Sequence, residues 1–278
     1  MIGRYRTTRP VVELNRRNFL AALSVATLGA VGLSRCAADG SPQVTGVAAE
    51  VAKPSGASPV GLLPPPPDSA RVALPGGVLS RLPGEGDLLA LTVDDGVSSE
   101  VVRAYTQFAK DTGARMTFFV NGIYRSWTDH IDVLRPLVDA GQIQLANHTW
   151  SHPNLTKLPL ADVAEEFRHN HEFLWKTYGI DARPYFRPPY GAHNAHVEKV
   201  AGELGYTANT LWSGTLEDHV WIPAADVVAM ADRYFTAQTI VIGHLNHEPV
   251  TEVYGQLVDI IRARRLRTVT LNDVFVRP

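Results

Sequence analysis

The chain has 278 residues, of which 45% are hydrophobic and 19% are charged, and this composition suits a globular protein with one large or two small domains. Its formal net charge is −2, and six arginines against a single acid lie in residues 1–35. The rest of the chain is therefore mildly acidic, which argues against a nucleic-acid-binding surface. Cys36 is the only cysteine, so an internal disulfide is excluded.

The N-terminal segment, residues 1–36, has the pattern of an export signal. Arg16 and Arg17 precede an apolar stretch over residues 19–33, which is shorter than the roughly 20 residues that a membrane-spanning helix needs. The paired arginines indicate the twin-arginine route, which exports folded bacterial proteins, and an uncleaved N-terminal anchor is the alternative. Either interpretation puts the body of the protein at the outer face of the cytoplasmic membrane, in the cell wall or in the medium.

Cys36 directly follows this apolar stretch. The sequence Leu33-Ser34-Arg35-Cys36 resembles the lipobox of bacterial lipoproteins, although Arg35 stands where a small residue is usual. Lipid anchoring through Cys36 and ordinary cleavage after Ala38 both stay open. Residues 37–86 are rich in Pro, Gly and Ala and show no helical or strand period, so we interpret them as an envelope linker.

From residue 87 to residue 278, short apolar runs alternate with amphipathic segments. The predicted strands are Leu88–Val93, Met116–Val120, Ile143–Ala146, Pro184–Arg187, Thr207–Leu211, Ile240–Ile242 and Arg267–Leu271. Four helices are predicted around the apolar positions of residues 101–108, 131–138, 160–174 and 197–204, with Ser98 or Ser99 capping the first and Thr128 the second. This alternation predicts an α/β fold, a distorted and incomplete (β/α) barrel of about seven parallel strands.

Function in such barrels lies where the carboxyl ends of the strands meet the following loops. The polar and chemically capable residues of this chain do follow the predicted strands. They are Asp94-Asp95, the run Asn147 to His152, the run Arg187 to Gly191, the run Trp212 to Asp218, and the run Gly243 to His247. We therefore expect one site at this end of the barrel.

His148 and His152 are four residues apart, a spacing that would let both rings turn to one side of a helical turn and bind a metal. A carboxylate from elsewhere would complete a two-histidine, one-aspartate site with open positions. Such a metal polarises a carbonyl and lowers the pKa of bound water. One such pair is weak evidence alone, as is an Asp-Asp pair, which is more often a turn or a helix cap.

Taken together and in this order, four motifs resemble those of the polysaccharide deacetylases, carbohydrate esterase family 4, also known as the NodB homology domain. The motifs are Thr92-Val93-Asp94-Asp95-Gly96, His148-Thr149-Trp150-Ser151-His152, Arg187-Pro188-Pro189-Tyr190-Gly191 and Ile242-Gly243-His244. The resemblance covers about residues 88–276. It implies a hydrolase that removes acetyl groups from polysaccharides.

The resemblance also implies a role for each matching residue. Asp95, His148 and His152 would bind a divalent metal, zinc in the first instance, with cobalt, manganese or nickel as alternatives. Asp94 would be the general base, and Arg187 would hold it and tune its pKa.

His244 would be the general acid. Asp218 could orient it, and the backbone N–H of Tyr190 would stabilise the oxyanion. Pro189 and Trp212 are the remaining residues expected at the substrate.

The chain departs from the family pattern at several positions. Val93 replaces a Phe and Ile242 a Leu, which are mild changes in strands. The fourth motif is altered more, because Thr215 replaces an Asp and His219 replaces a Trp while Asp218 is kept. These changes affect the predicted substrate groove more than the chemistry.

The function predicted on these grounds is N-deacetylation of a GlcNAc-containing polysaccharide, peptidoglycan or a related envelope glycan. An O-acetyl esterase acting on xylan or another glycan is an alternative, and an inactive carbohydrate-binding barrel is an alternative of a different class. His247 is open between a metal ligand, a substrate contact and a structural residue. No nucleic-acid or protein partner is predicted.

Overall fold

A computed structural model describes residues 61–276. The predicted export signal, Cys36 and the linker as far as residue 60 lie outside the described residues. All described residues belong to one compact unit. Between residues 61 and 276, no helix combines the length and apolar character needed to cross a bilayer.

The described residues form strands and helices in alternation. The strands are β1 (Val72–Ala73), β2 (Val78–Leu79), β3 (Leu88–Asp95), β4 (Met116–Val120), β5 (Ile143–Asn147), β6 (Tyr185–Phe186), β7 (Ala208–Thr210), β8 (Gly214–Thr215), β9 (Thr239–His244), β10 (Arg267–Thr268) and β11 (Phe275–Val276). The helices are α1 (Ser99–Thr112), α2 (Ser126–Asp129), α3 (Ile131–Asp139), α4 (Leu160–Tyr178), α5 (Ala195–Glu203), α6 (Ala224–Tyr234), α7 (Tyr254–Ala263) and α8 (Leu271–Val274). Short 3-10 helices cover Asp68–Ala70, Leu155–Lys157, Pro189–Gly191 and Glu248–Glu252.

The main sheet is a curled half-barrel of parallel strands in the order β2-β7-β6-β5-β4-β3-β9-β8, and β10 pairs with the start of β3. The segment between β7 and β8 bridges the two sides of the sheet. In this segment the Leu211 N–H donates to Leu79 O at 2.8 Å, and the Ser213 N–H donates to Ile240 O at 3.0 Å. The predicted incomplete (β/α) barrel is confirmed, with all seven predicted strands present.

The four additional strands are only two residues long, so they carry no hydrophobic period that a sequence could reveal. Two of them, β1 and β2, lie within the segment interpreted as a linker. β2 pairs with β7, and Leu79 and Leu82 are buried in the core. The folded region thus includes residues before position 87.

The four predicted helices are present as α1, α3, α4 and α5. Ser98 caps α1 by accepting a hydrogen bond from the Val101 N–H, and Gly113 ends the helix with a left-handed φ of 77°. Thr128 does not cap α3, because it belongs to the preceding short helix α2, and His130 stands at the N-cap position without a capping hydrogen bond.

The strand register brings the carboxyl ends of the strands to one rim. Asp94 on β3 pairs with His244 on β9 and with Phe119 on β4. On the other side of β4, Val120 pairs with Asn147 at the end of β5. The residues predicted to carry chemistry therefore share one end of the barrel.

Candidate active site

Asp94 and Asp95 end β3, where strict alternation would point adjacent side chains to opposite faces. Asp95 has a left-handed φ of 78° and Gly96 has a φ of 104°, so the chain turns at Asp95 itself. Gly96 is required there, because a Cβ at this position would lie 2.5 Å from the indole of Trp127. Both carboxylates consequently line one cavity.

Arg187 lies completely buried behind Asp94. Its Nη1 donates to Asp94 Oδ1 at 2.5 Å, its Nη2 donates to Thr92 Oγ1 at 2.9 Å, and its Nε donates to the Thr210 carbonyl at 2.8 Å. The guanidinium also stacks over the Phe119 ring, 4.1 Å from its centroid. Burial lowers the pKa of Arg187, and the charge of Asp94 opposes that shift. Asp94 is thereby fixed in one orientation.

The possible metal ligands converge on one point. Asp95 Oδ1 lies 3.3 Å from His148 Nε2 and 3.3 Å from His152 Nε2, and the three ligand atoms lie within 4.8 Å of one another. Among residues 61–276, Asp95 Oδ1 is buried without a hydrogen-bond partner. A buried carboxylate oxygen facing two imidazole nitrogens fits a divalent ion such as zinc.

Protonation also fits metal binding. His148 Nδ1 lies 2.7 Å from the Arg187 carbonyl, which only accepts hydrogen bonds, so Nδ1 carries a proton and Nε2 is the ring nitrogen left to bind a metal. Burial alone would raise the pKa of Asp95, but His148, with His152 and His244, lowers it below its usual range. Burial and the neighbouring His148 lower the pKa of His152, which favours its neutral form.

The two histidines are not on a helical turn, contrary to the expectation from their spacing. Residues 148–152 form a loop in which Thr149 and His152 have left-handed φ values of 70° and 60°. Both rings still reach the same point, because the loop folds back on itself.

Three buried asparagines hold this loop. Asn121 Nδ2 donates to the carbonyls of His148 and Thr149, and Asn147 Oδ1 accepts from the Thr149 N–H at 2.8 Å. Asn170 Nδ2 in turn donates to Asn147 Oδ1 at 2.9 Å. Sequence reasoning missed this network, although Asn147 stands at a strand end, where functional residues were expected.

His244 faces Asp94 across the strand pairing. Its Nδ1 lies 3.0 Å from Asp218 Oδ1, and its backbone N–H donates to Asp218 Oδ2 at 3.1 Å. Burial would lower the pKa of His244, but Asp218, and then Asp94 and Asp95, raise it overall. The structure thus puts Asp218 behind His244 despite the altered fourth motif.

These side chains line a cavity of about 410 Å³. The lining residues are Asp94, Asp95, His148, His152, Pro188, Tyr190, Gly191, Trp212, Thr215, Glu217, His219, Ile242 and His244. Pro189 is buried and does not belong to this lining, and neither does His247, which stands at the N-cap position of the 3-10 helix Glu248–Glu252.

Tyr190 forms the exposed wall of the cavity. Its φ of 62° is left-handed, 69% of its surface is exposed, and its ring packs edge-on against His152 with 4.7 Å between centroids. Glu217 and His219 also line the cavity and are half-exposed, and the His219 ring lies 5.8 Å from that of His244. The cavity mouth is therefore partly aromatic and partly polar.

Comparison with known proteins indicates the same family as the sequence motifs. Residues 82–209 match the family model for polysaccharide deacetylase. A chitin deacetylase from Arthroderma benhamiae is 31% identical over 197 residues, which cover 68% of this chain and 52% of that protein. The chain thus spans about half the length of this relative.

Two solved structures share the fold. The Bc1960 peptidoglycan N-acetylglucosamine deacetylase superposes with a TM-score of 0.66 at 22% identity, over 73% of this chain and 94% of that one. BA3943, a CE4 family pseudoenzyme from Bacillus anthracis, superposes with a TM-score of 0.64 at 17% identity, over 72% and 69% of the two chains. From the motifs, the half-barrel and these matches, the chain belongs to the polysaccharide deacetylase family.

Proposed function

We propose that the protein is a metal-dependent hydrolase that removes N-acetyl groups from a GlcNAc-containing polysaccharide, peptidoglycan or a related envelope glycan. The observation that carries this proposal is the arrangement within one cavity. Asp94, the cluster of Asp95, His148 and His152, and the His244 ring all line this cavity. A carboxylate base, a metal site and an imidazole acid around one space are the groups that amide hydrolysis needs.

The metal would be held by Asp95 Oδ1 and by the Nε2 atoms of His148 and His152. It would act as a Lewis acid that polarises the acetyl carbonyl and favours ionisation of water. Zinc suits this mixed nitrogen and oxygen set, and cobalt, manganese and nickel are compatible with it.

The chain's own residues would carry the proton transfers. Asp94, held by Arg187, takes a proton from the attacking water as the new C–O bond forms at the acetyl carbon. The Tyr190 N–H donates to the oxyanion. His244 then protonates the amine nitrogen from Nε2 as the C–N bond breaks, while its Nδ1 keeps its own proton and donates it in the hydrogen bond to Asp218. The products are acetate and a glucosamine unit.

The names of two similar proteins support an N-acetylated amino sugar as the substrate. The matched relative from Arthroderma benhamiae acts on chitin, and Bc1960 acts on peptidoglycan N-acetylglucosamine. An assay of the full chain on chitin oligomers, peptidoglycan and acetylated xylan tests the proposal. Equal amounts of acetate and free amine from the first two substrates support it, whereas acetate from xylan alone would indicate an O-acetyl esterase. Binding without release of acetate would indicate an inactive barrel.

We further propose that the protein acts outside the cytoplasm. The basis is the twin-arginine pattern of residues 1–36 and the proline-rich stretch that follows it. In this proposal residues 37–86 connect the export signal to the deacetylase domain at 87–278, with β2 as the part of the connector that joins the sheet. Replacing both Arg16 and Arg17 by Lys should retain the protein in the cytoplasmic fraction.

A further inference from the structure

The two carboxylate oxygens of Asp95 have different surroundings. Oδ1 faces the Nε2 atoms of His148 and His152 at 3.3 Å each. Oδ2 accepts a hydrogen bond of 2.6 Å from Nδ2 of Asn246. The carboxylate is thus held from the side opposite to the histidines by a residue that none of the family motifs includes.

The orientation of the Asn246 amide is determined by its partners. A carboxylate accepts hydrogen bonds, so the Nδ2 group must face Asp95. The Asn246 Oδ1 then faces the other way, where it accepts from the Val97 N–H at 3.4 Å. The side chain therefore bridges the two sides of the turn that follows β3.

The backbone around Asn246 is attached to the same turn. Leu245 is completely buried, its N–H donates to the Asp94 carbonyl at 2.9 Å, and its carbonyl accepts from the Ser98 N–H at 3.0 Å. Asn246 consequently has little freedom to move away from Asp95. Asp95 itself has a left-handed φ. This backbone conformation costs energy, and it persists because contacts with the surrounding structure hold it.

We propose that Asn246 is a positioning residue for the metal site, and that it holds Asp95 so that only Oδ1 is presented to the ion. This inference rests on the metal site of the proposed function. With Oδ2 occupied by the amide, Asp95 is set up as a one-oxygen ligand. Supporting hydrogen bonds of this kind typically change metal affinity by about 10- to 100-fold.

Residues 244–246 connect the proposed general acid to the metal site. His244, the proposed acid, and Asn246 lie on either side of the buried Leu245 in the chain. The Leu245 N–H donates a hydrogen bond to the backbone carbonyl of Asp94, the proposed base. A single backbone segment therefore positions both the acid and the metal-binding carboxylate.

The test measures zinc affinity by competition with a chromophoric chelator, using the full chain. Asn246→Ala should raise the Kd for zinc about 10- to 100-fold while the far-UV circular dichroism stays unchanged. Asn246→Ser, which shortens the side chain but keeps it polar, should act in the same direction. It serves as the second variant if the alanine protein does not fold.

Asn194→Ala is the matched control. Asn194 also makes two side-chain hydrogen bonds, to the N–H groups of His196 and Val197, but it caps α5 and does not line the cavity. This variant should lower the melting temperature and leave zinc affinity within twofold. A folded Asn246→Ala protein with wild-type zinc affinity would overturn the inference alone, whereas a wild-type chain that binds no zinc would overturn the proposed metal site together with it.

Discussion

Arg187 and Asp94 form an ion pair of 2.5 Å in which both side chains are excluded from solvent. The guanidinium makes further hydrogen bonds to Thr92 and to the carbonyls of Thr210 and Leu211, so its charge is compensated on several sides. This pair fixes the direction in which the second oxygen of Asp94 faces the cavity.

Removing one partner of this pair should lower the free energy of unfolding much more than removing both. Arg187→Met would leave the Asp94 charge buried and unpaired, and we expect the free energy of unfolding to fall by about 3–5 kcal/mol. Urea unfolding of Arg187→Met, Asp94→Asn and the double variant measures the coupling between them. Additive effects of the two substitutions would contradict the pairing.

Changing each of the two adjacent aspartates to asparagine should remove a different property, turnover in one variant and zinc binding in the other. Asp94→Asn keeps an acceptor for Arg187 but removes the base, so zinc should stay bound while turnover falls by about 10²–10⁴-fold. Asp95→Asn removes a charged metal ligand and should lose zinc. Elemental analysis and acetate release, measured on the same preparations, separate the two outcomes. Equal zinc contents in the two variants would contradict the assignment.

The pKa of His244 is raised overall, mainly because Asp218 accepts from its ring. The general acid must be protonated, so activity should fall as the pH rises through this pKa. Asp218→Asn removes the stabilising charge and should move the alkaline limb of kcat/KM to lower pH. Asp226→Asn, an exposed acid in the first turn of α6, is the control and should leave the limb unchanged. An unshifted limb in Asp218→Asn would argue against His244 as the acid.

The altered fourth motif should affect substrate binding more than chemistry. His219 is half-exposed and lines the cavity, at the position where the resemblance to the family motif implies a Trp. Stacking of an aromatic ring on a sugar face is worth about 0.5–1.5 kcal/mol by analogy with aromatic pairs, so His219→Trp should lower KM for chitin oligomers by about 2- to 10-fold. Steady-state kinetics with an oligomer series would show this, and a changed kcat with an unchanged KM would argue against a binding role.

Much of the fold was predictable because the long strands and four helices carry clear hydrophobic periods. The seven predicted strands all exist, and the register aligns their polar ends at one rim. The short strands β2 and β8 could not be predicted, since two residues have no period and their pairing depends on the finished barrel. Helices α6 and α7 were not predicted either. Their buried positions, such as Val227 and Ala231 in α6, do have helical spacing, so the signal was present.

The site also contains residues that the sequence predicts and residues that it does not. Five residues follow the predicted strands, and the structure brings them into one cavity: Asp94, Asp95, His148, His152 and His244. The supporting residues are harder to recognise, because asparagines are common in loops and nothing local distinguishes Asn121, Asn170 or Asn246. Their partners Thr149, Asn147 and Asp95 lie 28, 23 and 151 residues away in the chain, respectively, so the contacts exist only in the folded protein.

The central claim is that this cavity hydrolyses an N-acetyl group with the help of a divalent metal. The most direct measurement is acetate and free-amine release from N-acetylglucosamine oligomers by the full chain, before and after removal of metal and again after addition of zinc. The account predicts equal release of acetate and amine, its loss in the metal-free protein and its recovery with zinc. Undiminished release from a protein shown to contain no metal would contradict it.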